Sequence, residues 1–310
     1  MTLTLLFSAP DRTWPAYETV LQQVLKEAGI DADLTRSARP DAVDYIIYAP
    51  NDTLRDFTPY TRTKAVLSLW AGVEKIAPNS TLTQPLCRMV DPGLAQGMRD
   101  YVVGHVMRYH LGMDRHIHGL NGAWDHITPP LARDRPVTVL GLGELGQSCA
   151  RALAALGFHV TGWSRRPKQI AGLTCVSGPD GLKMALKTGE IVVLLLPNTA
   201  QTENTLNAET LALLPKGARI VNPGRGSLID DDALLTALDA GQIGHATLDV
   251  FRTEPLPQDH PYWAHPNVTV TPHIAAETRA QTASEVIAEN IRRGEAGEPF
   301  VHLVDRAAGY

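Results

Sequence analysis

The sequence predicts an α/β protein built from two parallel-sheet domains, and three observations carry that prediction. Its 310 residues exceed one ordinary domain and suffice to bury one or two cores without staples. The first third alternates short apolar runs with helical stretches. At Val137 the alternation begins afresh, with an apolar run that ends in the glycine-rich turn "GLGELGQ" at 141–147. Strands alternating with helices imply βαβ units and parallel sheets.

Taken in order, the first strand is "LTLLF" (3–7), followed by a helix over Trp14–Ala28 and the strands "DYIIYA" (44–49) and "AVLSLW" (65–70). From Leu94 to about Leu120, Met98, Val102, His105, Val106 and Tyr109 recur at helical spacing before "GLNGAW" and the breaker "TPPLARDRP". This reads as one long helix crossing between the domains. The second domain opens on "VTVL", the glycine turn, a helix over Ser148–Leu156 and "FHVTGW" (158–163). Further strands are "IVVLLL" (191–196), "ARIVN" (218–222), "ATLDVF" (246–251) and "VTVT" (268–271), regular enough for a doubly wound sheet. In "IDDDALLTALDAG", Asp230 is the expected N-cap and Gly241 the helix stop. A last helix from about Ser284 is expected to cross back to the first domain. The expected division is therefore 1–98 plus 284–310 for one domain and 99–283 for the other.

The balance of 28 basic and 33 acidic residues gives a net charge of −5 with no basic face, which excludes nucleic acid as a partner. Cys87, Cys149 and Cys175 are an odd number, far apart and without a CxxC pair, so neither a disulfide framework nor a zinc cluster is expected. "TLTLLFS" near position 1 is too short and too uncharged at its start for a signal peptide, and no apolar run approaches the roughly 18 residues of a membrane span. The expectation is a soluble cytoplasmic protein with no membrane partner.

Gly141, Gly143 and Gly146 lie between an apolar strand and a good helix. In that setting the first makes the tight turn, the second lets a pyrophosphate approach the backbone, and the third permits close helix packing. A ligand-free βα turn would carry the same glycines, but the helix N-terminus beyond adds N–H donors and a favourable dipole. NAD-specific turns of this type look ahead to an Asp or Glu that grips the ribose. Here that place holds Ser164, with Arg165 and Arg166 behind it. No carboxylate stands there to repel a 2′-phosphate, and the two arginines can pair with one. NADPH is expected over NADH.

Ligands of open α/β sheets bind beyond the carboxyl ends of the strands, and three reactive side chains follow predicted strands. Arg225 lies in "NPGRG", Glu254 in "DVFRTEP" and His273 in "TPHIAAET". Singly, each could be an ordinary turn residue. Together they supply an anion clamp, a carboxylate and an acid/base imidazole. A metal site built from His260, His265 and His273 is the competing chemistry, but those spacings lack helical HxxxH logic and no cysteine helps.

With these motifs in order, the sequence resembles the D-isomer-specific 2-hydroxyacid dehydrogenases, and more narrowly their glyoxylate/hydroxypyruvate reductase A group. The resemblance spans nearly the whole chain: "LWAGVEKI" (69–76), "VLGLGELGQ", "VVLLLPNTAQTENTLN" (192–207), "VNPGRGSLIDDDALLTAL", "TLDVFRTEPLP" (247–257), "TPHIAAET" and the tail "VDRAAGY". It implies two Rossmann-like domains, a flavodoxin-like substrate domain and a doubly wound NAD(P) domain, with the active site in the cleft and a homodimeric assembly. It makes Arg225, Glu254 and His273 the catalytic triad and has Asp249 hold the nicotinamide amide. Glu144 and Leu145 in the turn, and Pro197, Asn198 and Thr199, join the cofactor contacts. Backbone N–H groups at Ala71, Gly72 and Val73 would complete the carboxylate clamp. Trp70 stands where many relatives have a small residue, and with Tyr48 it is expected to face the substrate. The implied activity is NADPH-preferring reduction of glyoxylate or hydroxypyruvate. A reductase of bulkier oxoacids such as phenylpyruvate, and a non-catalytic dinucleotide sensor, are the alternatives.

Overall fold

The computed structural model describes residues 2–117, 119–120, 122–124, 126–307 and 309. The chain divides into two compact units, Met1–Leu94 with Glu277–Tyr310, and Ala95–Ala276.

The first unit carries β1 (Leu3–Ser8), α1 (Trp14–Glu27), β2 (Ala32–Thr35), β3 (Tyr45–Tyr48), β4 (Ala65–Ser68), β5 (Leu86–Cys87) and, from the far end of the chain, the last helix (Ala280–Glu295). Its five strands are parallel in the order β2-β1-β3-β4-β5, the flavodoxin-like order. Alternation along each strand feeds two cores. Leu3, Leu5, Phe7, Tyr45 and Ile47 face the core that also takes Tyr17, Leu21, Ile287 and Ile291 from the two helices. Leu6, Ile46 and Tyr48 face the other side, where Phe57, Val73, Ile76, Leu82 and Val304 cover the sheet. No helix covers that second side: residues 49–64 and 69–85 contain neither helix nor strand.

The second unit begins on α2 (Pro92–His110), continues with α3 (Met113–Ile117), and then holds β6 (Pro136–Leu140), α4 (Glu144–Ala155), β7 (His159–Ser164), β8 (Thr174–Ser177) and α5 (Gly178–Thr188). There follow β9 (Ile191–Leu194), α6 (Ala208–Leu211), β10 (Ala218–Asn222), α7 (Asp231–Asp239), β11 (Ile243–Leu248) and β12 (Val268–Val270), with Ala280–Glu295 completing the series as α8. Seven parallel strands run β12-β11-β10-β9-β6-β7-β8, so the order reverses beside β6 and places a switch point at the glycine turn.

Several elements differ from expectation for identifiable reasons. The single helix expected over 94–120 ends at His110, because Gly112 takes φ +63 and breaks the ladder before α3. His118, within the expected helix, and Ala308 and Tyr310 in the tail motif lie outside the described residues. The helix after the glycine turn starts at Glu144 rather than Ser148, directly on its N-cap Gly143. Strands β2, β5 and β8 were not anticipated; each has four residues or fewer and lies at or beside a sheet edge, so no apolar run marks it. Asp230 caps α7 as expected, accepting from the Ala233 N–H at 3.0 Å, and Gly241 follows it at φ +66. Among the described residues no helix is long and apolar enough to cross a membrane.

Candidate active site

Two of the three glycines of the turn after β6 have a separate steric reason. Gly141 takes φ +106, and a Cβ there would come within 2.4 Å of the Leu195 carbonyl oxygen. A Cβ on Gly146 would sit 1.8 Å from the Gly141 oxygen, so α4 can approach β6 only if that residue lacks a side chain. Gly143 is different: nothing lies within 4 Å of its missing Cβ, and no side chain caps α4. The first-turn N–H groups, those of Glu144 and Leu145 among them, have no intrahelical acceptor and suit an anion. That open cradle fits a dinucleotide pyrophosphate.

At the end of β7, Ser164 is buried and its hydroxyl donates to the Arg166 carbonyl at 2.8 Å, closing a tight turn. Arg165 and Arg166 are exposed beyond it, and Arg165 Nη1 reaches Gln201 Oε1 at 2.7 Å. A third cation enters here that the sequence motifs did not single out. Lys168 Nζ donates to the Leu142 carbonyl at 2.5 Å and so leans onto the glycine turn. After β9 the segment Pro197, Asn198 and Thr199 is tied by Thr202, whose hydroxyl donates to the Pro197 carbonyl at 2.6 Å and accepts from the Thr199 N–H at 3.0 Å. Asn198 Oδ1 accepts from Ser227 Oγ at 2.8 Å, linking this loop to the one that bears Arg225.

Arg225, Glu254 and His273 follow β10, β11 and β12, three neighbouring strands of one sheet. Buried Asn222 shapes the first loop, accepting from the Gly224 N–H at 3.1 Å and donating to the Arg225 carbonyl at 2.9 Å. Arg225 Nη1 donates to the Gly224 carbonyl at 2.7 Å. His273 Nδ1 stands 2.7 Å from Glu254 Oε2, while Glu254 Oε1 accepts from the Phe251 N–H at 2.9 Å. The imidazole is 55% exposed, so its far nitrogen can reach a ligand. Arg252 braces the same rim by donating to the Ile229 carbonyl at 2.7 Å and pairing with Glu203 at 3.3 Å.

Asp249, which the resemblance has hold a nicotinamide amide, is completely buried, and its carboxylate is bonded within the chain. Oδ1 accepts from the Thr271 hydroxyl at 2.6 Å and the Ile274 N–H at 2.9 Å, and Oδ2 from the Ala275 N–H at 2.9 Å. Its main-chain oxygen also accepts from the His273 N–H at 2.8 Å. These bonds hold His273 at φ +54, a left-handed conformation that a non-glycine residue keeps only when its surroundings over-determine it. Asp249 therefore positions the imidazole. Since a carboxylate only accepts, the Thr271 hydroxyl donates to it, and Tyr101 OH must donate to Thr271 at 2.7 Å. Behind the same strands Tyr109 bonds Thr247 at 2.6 Å, and His245 Nε2 bonds Thr269 at 2.9 Å. Burial, with Arg108 nearby, lowers the His245 imidazole to about 4. Burial likewise lowers the His105 imidazole.

In the first unit, Trp70 follows β4 and is 40% exposed, its backbone pinned by Ser68 Oγ and by the Met89 N–H, which donates to its carbonyl at 3.0 Å. Ala71 and Gly72 are half-buried, whereas Val73 packs in the core. Tyr48, expected to face the substrate, is buried on the Leu6 and Ile46 side of the first sheet, with its ring centroid 5.6 Å from that of Phe57. His260 and His265 are engaged locally, His260 Nδ1 accepting from the Tyr262 N–H and His265 Nε2 lying 3.3 Å from Asp239.

The family profile described as D-isomer specific 2-hydroxyacid dehydrogenase, NAD binding domain, matches residues 103–275. A glyoxylate/hydroxypyruvate reductase A of Serratia proteamaculans is 40% identical over 298 residues, 94% of each chain. Its counterpart from Yersinia enterocolitica is 41% identical over 255 residues, covering 80% of this chain and 82% of the relative. Among solved structures, a D-isomer specific 2-hydroxyacid dehydrogenase of Xanthobacter autotrophicus Py2, in complex with NADPH and MES, superposes with a TM-score of 0.90 at 38% identity over the full length of both chains. An NADPH-dependent glyoxylate/hydroxypyruvate reductase of Sinorhizobium meliloti, in complex with NADP and sulfate, gives 0.85 at 31% identity, again over both full lengths. The chain belongs to the D-isomer specific 2-hydroxyacid dehydrogenase family.

Proposed function

We propose that this protein is an NADPH-preferring reductase of small 2-oxoacids, glyoxylate and hydroxypyruvate in particular, giving the 2-hydroxyacids. One observation carries the reading above the others: the 2.7 Å pairing of His273 with Glu254, on the sheet that also bears Arg225 and the glycine turn. The names of the relatives support the substrate class, and the NADPH-bound neighbours support the cofactor.

NADPH, when bound, supplies the hydride that reaches the carbonyl carbon. The protein's part is to hold the oxoacid and to deliver a proton. The planar fork of Arg225 suits a carboxylate that lies beside a ketone, because it can bond both oxygens of one group or one oxygen of each. The Ala71, Gly72 and Val73 segment adds N–H donors to that clamp. As negative charge grows on the carbonyl oxygen, His273 donates from Nε2. Glu254 accepts at Nδ1, which fixes the tautomer and the orientation of the ring. Asp249 keeps the ring's backbone in place without touching the reactants. Ser164, Arg165 and Arg166 form the 2′-phosphate site, and Lys168 adds a third positive charge beside them.

Two further features belong to this reading. All three cysteines are free, and burial pushes the Cys87 and Cys149 thiols up to about 12, which removes them as nucleophiles and suits a reducing, cytoplasmic setting. Ile117, Trp124, Ile127 and Leu131 expose large apolar side chains along one stretch of the second unit, Trp124 by 96%, which supports a homodimer covering them. The test of the function is initial-rate oxidation of NADPH and of NADH by the purified protein with glyoxylate, hydroxypyruvate and phenylpyruvate. The two small acids with NADPH should give the highest kcat/KM. No oxidation with any oxoacid would leave a dinucleotide sensor instead.

A further inference from the structure

The tail motif "VDRAAGY" has no part in the chemistry derived so far, yet its arginine is among the most fully engaged side chains of the first unit. Arg306 Nε donates to the Ala77 carbonyl at 3.0 Å, Nη2 to the Asn79 carbonyl at 2.7 Å, and Nη1 to the Leu82 carbonyl. Three main-chain oxygens of one irregular segment thus share one guanidinium. The segment needs such a partner. Residues 69–85 cover one side of the sheet with neither helix nor strand, so their carbonyls have no ladder to join.

The tail that carries Arg306 is itself seated on the sheet. Arg88 N–H donates to the His302 carbonyl at 3.0 Å and Val304 N–H to the Leu86 carbonyl at 2.8 Å, with Cys87 and Leu303 in an antiparallel bridge. Val304 is buried in the same apolar cluster as Val73, Ile76, Ala77 and Leu82. From there the path to Trp70 is short. The Ile76 and Ala77 N–H groups donate back to the Val73 carbonyl at 3.0 and 2.8 Å, making one helical turn whose far end Arg306 caps. The Met89 N–H, just past the strand that bridges to the tail, donates to the Trp70 carbonyl.

We propose that Arg306 is a positioning residue for substrate binding: acting from the far end of the chain, it fixes the 73–82 turn and thereby the Trp70–Val73 segment that meets the oxoacid. This rests on the reading of Ala71, Gly72 and Val73 as part of the carboxylate clamp. Arginine is required because its rigid fork serves three carbonyls at once, whereas a lysine ammonium is a single point of attachment.

The experiment compares Arg306→Ala and Arg306→Lys with the unmodified protein. Arg306→Ala should raise KM for glyoxylate by about tenfold or more while kcat stays within about twofold and the Kd for NADPH is unchanged, the pattern of lost substrate binding alone. Arg306→Lys should fall between, and millimolar guanidinium should lower the KM of Arg306→Ala. Amide hydrogen exchange over 70–82, read without turnover, should quicken in both variants. Unchanged exchange would overturn the proposal, since Arg306 would not fix this segment, and would leave the proposed function intact. Faster exchange with an unchanged KM would overturn the proposal by removing 70–73 from the substrate site. Failure of both variants to fold, or equal losses in kcat and NADPH binding, would make Arg306 a residue of general stability and overturn the proposal too.

Discussion

The second sheet holds the two proposed functional rims, and they are built differently. At the turn after β6 the groups proposed to face the ligand are main-chain N–H groups, an open glycine and the exposed Arg165 and Arg166, with Arg165 bonded to exposed Gln201. After β10, β11 and β12 every reactive side chain is tethered: Arg225 to Gly224, Glu254 to the Phe251 N–H, and His273 to Glu254 and through its backbone to Asp249. The difference follows from the tasks. A phosphate is recognised by charge, which tolerates some freedom of position, whereas proton transfer needs the imidazole within hydrogen-bond reach of one atom. The first rim should therefore fail gradually when altered and the second abruptly.

The largest effect is expected at the most tethered group. His273→Gln removes the proton donor and should lower kcat by a factor on the order of 10² to 10⁴ with NADPH affinity unchanged, measured by single-turnover reduction and by cofactor titration. Arg225→Lys keeps the charge and loses the fork; kcat/KM for glyoxylate should drop by about two orders of magnitude. Near-normal kinetics in either variant would end the contrast between the rims.

Acid should separate the rims without mutation. Burial holds the His245 imidazole at about 4, below its ordinary 6.5, so between those pH values the unfolded chain takes up a proton that the folded one does not. The contribution is whole above pH 6.5 and is lost as pH falls towards 4, by up to about 3 kcal/mol. His245 supports Thr269 of β12, so amide exchange should rise at 268–276 before it rises at 137–147. His245→Gln should flatten this acid dependence of stability. Equal protection of the two segments at pH 5 would contradict the assignment. The gentlest loss belongs to the phosphate rim. Replacing Arg165 and Arg166 together by alanine should weaken NADPH binding by about 1.5 to 3 kcal/mol and leave NADH nearly unaffected, as read by fluorescence titration of both cofactors. Equal weakening of both would remove the 2′-phosphate from the account.

The sequence made the two rims legible to different degrees. Glycine spacing between a strand and a helix announced the first, and Gly141 and Gly146 have the steric roles their positions implied. Arg225, Glu254 and His273 could be placed because each follows a run rich in apolar or β-branched residues, "VTVT" the shortest of the three. Their supports could not be. The resemblance has Asp249 hold the nicotinamide amide, but only the fold shows its carboxylate enclosed by Thr271, Ile274 and Ala275. The burial of Tyr48 was not legible at a strand end: both faces of the first sheet are covered, and only the fold sets its ring against Phe57. Lys168 carries no motif, since its contact with the Leu142 carbonyl depends on how the turn after β7 folds back.

The claim that the second rim works by one proton on a braced imidazole is tested most directly by the pH dependence of glyoxylate reduction with NADPH saturating, in the unmodified protein and in Glu254→Gln. Reduction needs a protonated His273, so kcat/KM should fall as pH rises. The substitution keeps the shape and removes the charge of Glu254, so the alkaline fall should come at lower pH in the variant. A profile that stays in place or moves upward would mean that His273 is not the donor, or that the pairing seen at 2.7 Å does not govern it.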